Sequence, residues 1–180
     1  MNRYKEIKGT ATLLFINVFI AFSFGFLNEE TIKFALTSEF QIKTIFSSMF
    51  IHGDIIHLFF NMFALFFLGS EIEKRLNTNV FLIVYFLSGI AGSIFTLIYL
   101  NITHENSIVI GASGAIFGLF AFLSYFKGYS EIKSFWINVI IFHVIIITLD
   151  LHIAWHNHFG GIIAGIILSL FLVKKTKYSF

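Results

Sequence analysis

Cysteine and proline are both absent from this 180-residue chain, and only 12% of its residues are charged. Without cysteine there are no disulfides, no thiolate nucleophile and no cysteine-based metal or redox centre, and the redox compartment is left open. The charge balance is equally spare: 12 Lys and Arg against 10 Asp and Glu give a net charge of +2. The basic residues are spread along the chain instead of lining one face, so no nucleic-acid partner is expected.

Apolar residues make up 57% of the chain, with 26 Phe, and the mean hydropathy of +0.87 lies far above that of a soluble domain. These values predict an all-α membrane protein that crosses a lipid bilayer several times. Six apolar segments are legible, at about 10–27, 55–69, 80–100, 112–126, 135–149 and 153–173, in a single domain covering 1–180. A full crossing takes about 20 residues. The second, fourth and fifth segments are shorter, so their ends lie inside the bilayer or are prolonged by less apolar flanks such as Ile132 to Ser134.

If all six segments cross, Arg3, Lys5, Lys8, Lys74, Arg75, Lys127, Lys133, Lys174, Lys175 and Lys177 share one side, and Lys33 and Lys43 the other. The positive-inside rule then predicts cytoplasmic N- and C-termini. No small-residue cleavage site follows the basic N-terminus, so the first span is expected to be retained. The longest polar connection, Asn28 to about Phe50, faces outward. Its mixed character suits a segment lying partly in the membrane interface.

Hydrogen-bonding groups inside a bilayer are costly, and each one within a span is a functional candidate. His57 and Asn61, in the run His52-Gly53-Asp54-Ile55-Ile56-His57-Leu58-Phe59-Phe60-Asn61, are four residues apart and share a helix face. Ser113 lies in Gly111-Ala112-Ser113-Gly114, at the head of the fourth segment. His158 opens the sixth, followed by Gly161 and Gly165. His143, in the fifth, is expected to be a hydrogen-bonded bundle residue in preference to a relay; Asp150, His152 and His156 complete the set. On the predicted topology His57, Ser113 and His158 converge at one depth, just below the outer surface.

Gly114 with Gly118 and Gly161 with Gly165 form two small-xxx-small faces, which allow close helix packing. If these faces meet, Ser113 and His158 come within hydrogen-bond reach. A histidine with an ordinary pKa near 6.5 can accept a serine proton at neutral pH. No carboxylate is placed to orient His158, so the pair would be a dyad, with Phe117 as a ring to stack on the imidazole. Asn61, His57 and the backbone N–H groups of Ser113 and Ala112 are candidate donors to a developing oxyanion. The loop Ser107 to Ile110 would leave a hydrated depression open to the outside.

His57-x-x-x-Asn61, Gly111-x-Ser113-Gly114 and His158 with Gly161 and Gly165, in this order on these spans, resemble the rhomboid intramembrane serine proteases. The resemblance extends from about Phe50 to Ile167 and includes Glu71-Ile72-Glu73-Lys74-Arg75, similar to the family's inner loop. It implies a six-helix rhomboid-like bundle, Ser113 as nucleophile, His158 as base, and an oxyanion hole of His57, Asn61 and the Ser113 amide. It further implies cleavage of transmembrane protein substrates without a cofactor, in a cell membrane, with the site toward the extracytoplasmic side. Two positions depart from the family pattern. Lys43-Thr44 stands where many members have Trp-Arg, and Phe117 where several have Tyr.

Other chemistries fit less well. No His-Glu-x-x-His motif is present, and Asp54 and Asp150 lie at span edges, unlike the two buried aspartates of an aspartyl intramembrane protease. His152 and His156 have helical spacing near His158, but no carboxylate completes a ligand set, and no metal is expected. A catalytically inactive rhomboid-like protein that binds transmembrane clients is the main alternative, since it would use the same fold. A transporter would need paired charges or broken helices within its spans. The sequence is silent on oligomeric state.

Overall fold

The computed structural model describes residues 6–39, 41–148 and 153–173, and these are helical almost throughout. The helices are α1 (Lys8–Phe24), α2 (Ile42–Ser47), α3 (Ile55–Arg75), α4 (Thr78–Thr103), α5 (Ser113–Lys127), α6 (Tyr129–Thr148) and α7 (Trp155–Val173). Two 3-10 turns, Ile32–Phe34 and Ser48–Phe50, flank α2. By length and composition α3, α4 and the Trp155–Leu172 stretch of α7 can each cross a membrane, while α1 and α5 are apolar but shorter. Arg3, Lys5, Asp150, His152, Lys174, Lys175 and Lys177 lie outside the described residues.

With no proline to stop them, these helices are delimited by caps and glycines. The Asp54 carboxylate accepts from the His57 N–H at 2.8 Å, and the Asn77 side-chain oxygen from the Val80 N–H at 2.9 Å. Each satisfies one of the free amides at a helix start. The first helix is capped from a distance: the buried Glu73 carboxylate accepts from the Gly9 and Thr10 amides at 2.8 and 2.9 Å. It also accepts from the hydroxyls of Thr10 and Thr78, at 2.8 and 2.6 Å.

The segment Glu71 to Arg75, which resembles an inner loop in sequence, is instead the last turn of α3, and only Leu76 and Asn77 separate α3 from α4. Its polar residues have partners that let the helix continue beyond the apolar run. Glu71 pairs with Arg75 at 2.6 Å and with Lys127 at 3.3 Å. At the other end of the bundle the first connection is ordered by specific contacts. Leu36 and Val109 exchange backbone hydrogen bonds at 3.0 and 2.8 Å, and Ser93 donates to the Ile45 carbonyl at 3.1 Å. Thr44, in the Lys43-Thr44 departure, is buried and donates to the Gln41 carbonyl at 2.7 Å.

The core of the bundle is α4, α5 and α7. A Cβ added to Gly161 would overlap the Gly114 carbonyl, and one on Gly165 would overlap that of Gly118. Because 114 pairs with 161 and 118 with 165, α5 and α7 run parallel with their backbones in contact. Helix α4 runs antiparallel to both: Ser88 lies against Gly118, while Gly92 lies against Asn157 and Gly160. Thr96 reaches His156 at 2.9 Å, and Tyr99 stacks on the same imidazole with centroids 4.6 Å apart. Large apolar side chains are left on the periphery, among them Phe15, Phe59, Phe63, Ile140 and Phe171. That surface matches a hydrocarbon solvent, and the helices satisfy their own backbone groups as a bilayer requires.

Because Gly161 admits no side chain, Gly161→Ala is expected to force α7 off α5 and to lower stability by about 1–3 kcal/mol. Thermal unfolding in detergent against the parent chain measures this, with Gly53→Ala as a contrast because a Cβ there meets only ordinary van der Waals contacts, at 3.7 Å.

Candidate active site

Three helix starts meet at one place. Ser113 is the first residue of α5, His158 lies in the first turn of α7, and His57 lies in the first turn of α3. Ser113 Oγ and His158 Nε2 are 3.1 Å apart. The Phe117 ring stacks on the His158 imidazole, with centroids 4.2 Å apart and planes 23° apart. His158 is 2% exposed and Ala112 fully buried, while Ser113 is half-buried. The pairing follows from the glycine contacts: Ser113 immediately precedes Gly114 and His158 lies three residues before Gly161, so both sit where the same seam between two parallel touching helices begins.

Gly111 makes the turn into α5 with φ of +101°, a conformation that favours glycine. Space is a second constraint there, since a Cβ would stand 2.7 Å from His57 Nε2. The Gly111 N–H donates to the Ser48 carbonyl at 2.8 Å, which fixes the turn against the first connection. His57 Nδ1 accepts from the Gly53 N–H at 3.3 Å, so in the neutral ring the proton resides on Nε2, the nitrogen facing the turn. Asn61 donates one amide hydrogen to the His57 carbonyl at 2.8 Å and keeps a second. The Ser113 N–H, first in its helix, has no intrahelical acceptor.

All three helix starts direct the positive ends of their dipoles toward this place, which favours negative charge there. The interstice behind Ser113, lined by Ser48, Met49, Gly89, Ser93, Gly111 and Asn157, has no room for a water-sized sphere. The Leu36–Val109 pairing holds the loop before Ser113 closed over it, and Met49 fills the space at Gly89.

Two neighbours, Asn157 and a row on α4, were not singled out from the sequence. Asn157, buried at 5% exposure, packs against both Gly92 and Gly114. The small-residue row Ser88, Gly89, Gly92, Ser93 and Thr96 on α4 receives α5, α7 and Met49. Its recurrence every three to four residues is the signal that identifies it. His52 lies edge-on to His57, with centroids 5.1 Å apart. His143 donates from Nδ1 to the Val139 carbonyl of its own helix at 2.8 Å, and its ring also packs against those of His158 and Phe117. Among the described residues no group of His, Asp and Glu is arranged to hold a metal ion.

Residues 39–175 match the Rhomboid domain family, more than half of the chain. The chain belongs to the rhomboid family. It is 31% identical over 139 residues to "Putative rhomboid protease YdcA" of Bacillus subtilis, covering 74% of this chain and 68% of that one. Over 182 residues it is 30% identical to "Rhomboid protease GluP" of the same organism, covering 90% of this chain and 34% of the other. It is also 30% identical over 149 residues to "RHOMBOID-like protein 2" of Arabidopsis thaliana, covering 79% and 46%. The chain thus spans less than half the length of two of these three relatives. Rhomboids are membrane-embedded and include serine intramembrane proteases, and the lipid-matched periphery of this bundle agrees with that setting.

His52, in the connection before α3, has its imidazole pKa lowered from 6.5 to about 4, first by burial and then by His57. Unfolding restores the ordinary value, so the unfolded chain binds the additional proton between pH 6.5 and 4. Stability is full above pH 6.5 and falls as the pH drops toward 4, by about 3 kcal/mol for a shift of this size. Unfolding in detergent across that range is expected to show the loss, and His52→Gln should flatten it.

Proposed function

We propose that this rhomboid is an intramembrane serine endopeptidase that cleaves transmembrane protein substrates through a Ser113–His158 dyad. The observation that carries the reading is the 3.1 Å approach of Ser113 Oγ to His158 Nε2, at the heads of two helices locked by paired glycines. The Ser113 hydroxyl donates to Nε2. As Oγ attacks the scissile carbonyl carbon, its proton passes to Nε2, and the carbonyl π electrons move onto oxygen. The resulting oxyanion accepts from the Ser113 N–H, from His57 Nε2–H and from the second Asn61 amide hydrogen, with the Ala112 N–H as a further backbone donor. Collapse breaks the C–N bond, and the leaving amine takes the proton from His158. Water then gives a proton to Nε2 and attacks the acyl ester, and collapse returns the proton to Ser113 Oγ.

In this reading Gly111, Gly114, Gly161 and Gly165 hold the helices at catalytic distance, and Phe117 fixes the imidazole plane. No cofactor takes part. The chain forms one domain of six crossings (α1, α3, α4, α5, α6 and α7), with both termini in the cytoplasm of a cell whose membrane it occupies. The positive-inside split supports this orientation, as does the cluster of Glu71, Arg75 and Lys127 at the end of the bundle away from Ser113. The site then faces the extracytoplasmic side of the bilayer.

Ser113→Ala and His158→Ala are each expected to abolish cleavage of a reporter transmembrane substrate while the fold persists; full activity in either variant overturns the dyad. Labelling by a fluorophosphonate should be lost in Ser113→Ala. His57→Ala and Asn61→Ala should each lower kcat by about 10- to 1000-fold, as expected for removing one oxyanion donor while others remain.

A further inference from the structure

A dyad leaves the far side of its imidazole unaccounted for. With Nε2 accepting from Ser113, the second nitrogen of His158, Nδ1, carries a hydrogen. That nitrogen is buried without a hydrogen-bond partner among the described residues. During the reaction the ring becomes an imidazolium, and an unpaired N–H then costs more than it does in the neutral ring.

The titratable groups around His158 are His143 from α6, His57 from α3 and His156 from its own helix. His57 faces the Gly111 turn, and His156 is engaged with Thr96 and Tyr99. His143 differs from both. Its ring is edge-to-face with that of His158, with centroids 5.7 Å apart and planes 74° apart, and it touches Phe117 and Phe142 on either side. Its Nδ1 is bonded to the Val139 carbonyl at 2.8 Å. A carbonyl only accepts, so Nδ1 holds the hydrogen and Nε2 of the neutral ring is left with a free lone pair. The His143 side chain also lines a cavity of about 240 Å3 between α6 and α7, whose other walls include Trp136, Trp155, Phe159 and Ile162. The ring therefore has room to adjust on that side.

We propose that His143 is a positioning residue for His158: its Nε2 accepts from the His158 Nδ1–H, after a small ring rotation, as His158 becomes positively charged. His143 takes no proton in this scheme. It holds the base in the correct tautomer and stabilises the imidazolium, a function an orienting carboxylate would otherwise serve. The inference rests on the serine protease reading above. Two features of the chain favour His143 for this role. Its tautomer is set by its own helix, and its free nitrogen can accept, whereas the corresponding nitrogen of His57 carries the hydrogen.

The test compares His143→Leu, His143→Gln and Asp150→Asn with the parent in steady-state cleavage of a reporter transmembrane substrate from pH 5 to 9, with thermal unfolding measured for each. His143→Leu should lower kcat roughly 10- to 100-fold with KM little changed, a range below that for removing the base itself. Loss of the acceptor disfavours the imidazolium, so the acidic limb of the kcat/KM profile should move to lower pH. His143→Gln retains an acceptor oxygen and should recover much of the rate. Its side chain should be tolerated, since His143 bonds only to its own helix. Parent-like rate and profile in His143→Leu overturn the proposal while leaving the dyad intact. So does an equal loss in both His143 variants, or a profile that moves only in Asp150→Asn. Undiminished cleavage by a Ser113→Ala control would instead defeat the protease reading, and this inference with it.

Discussion

The contact on which the rest of this molecule depends is the meeting of two helix backbones. Helices α5 and α7 run parallel and touch through Gly114, Gly118, Gly161 and Gly165, with no side chain between them. In a bilayer there is little hydrophobic gain from bringing apolar helices together, so close packing and the contacts it permits carry the association. The Ser113–His158 approach is a consequence of that packing. Both side chains project from one end of this seam, and their separation is set by backbone geometry more than by their own flexibility.

A second organising feature is the distribution of polar groups. The half of the bundle near Ser113 gathers helix starts, imidazoles and free amides, and the opposite end gathers the ion pairs of Glu71 with Arg75 and Lys127. Between them most side chains are apolar, and many large ones face outward. Such a molecule can present hydrogen-bond donors to an anionic intermediate within a low-dielectric surrounding, where they act most strongly. Closure of the interstice behind Ser113 keeps the resting site tightly packed on that side.

Much of this was legible in the sequence because membrane helices leave simple signals. The polar residues at the heads of apolar runs pointed to Ser113, His158, His57 and Asn61, and glycines spaced by four indicated which faces could touch. What escaped had weaker signals. The role of α4 rests on Ser88, Gly89, Gly92 and Ser93, small residues that look unremarkable in an apolar run until their partners are known. The end of α3 was obscured because hydropathy falls at Gly69 while hydrogen bonding does not. Ion pairs and a shared cap carry that helix to Arg75. The closed loop before Ser113 depends on pairing between Leu36 and Val109, 73 positions apart, and no local pattern announces such a contact.

The cap on α1 has a bearing on how the chain is made. Its acceptor, Glu73, lies more than sixty residues downstream, and the same carboxylate needs the Thr78 hydroxyl to complete its set of donors. A ribosome delivers α1 long before either. The first helix must therefore have its leading amides served by other partners at first, and it is fastened only when the turn between α3 and α4 has emerged. Assembly from the N-terminus is in this respect retroactive: the oldest helix is secured by a residue that did not yet exist when its own residues were joined.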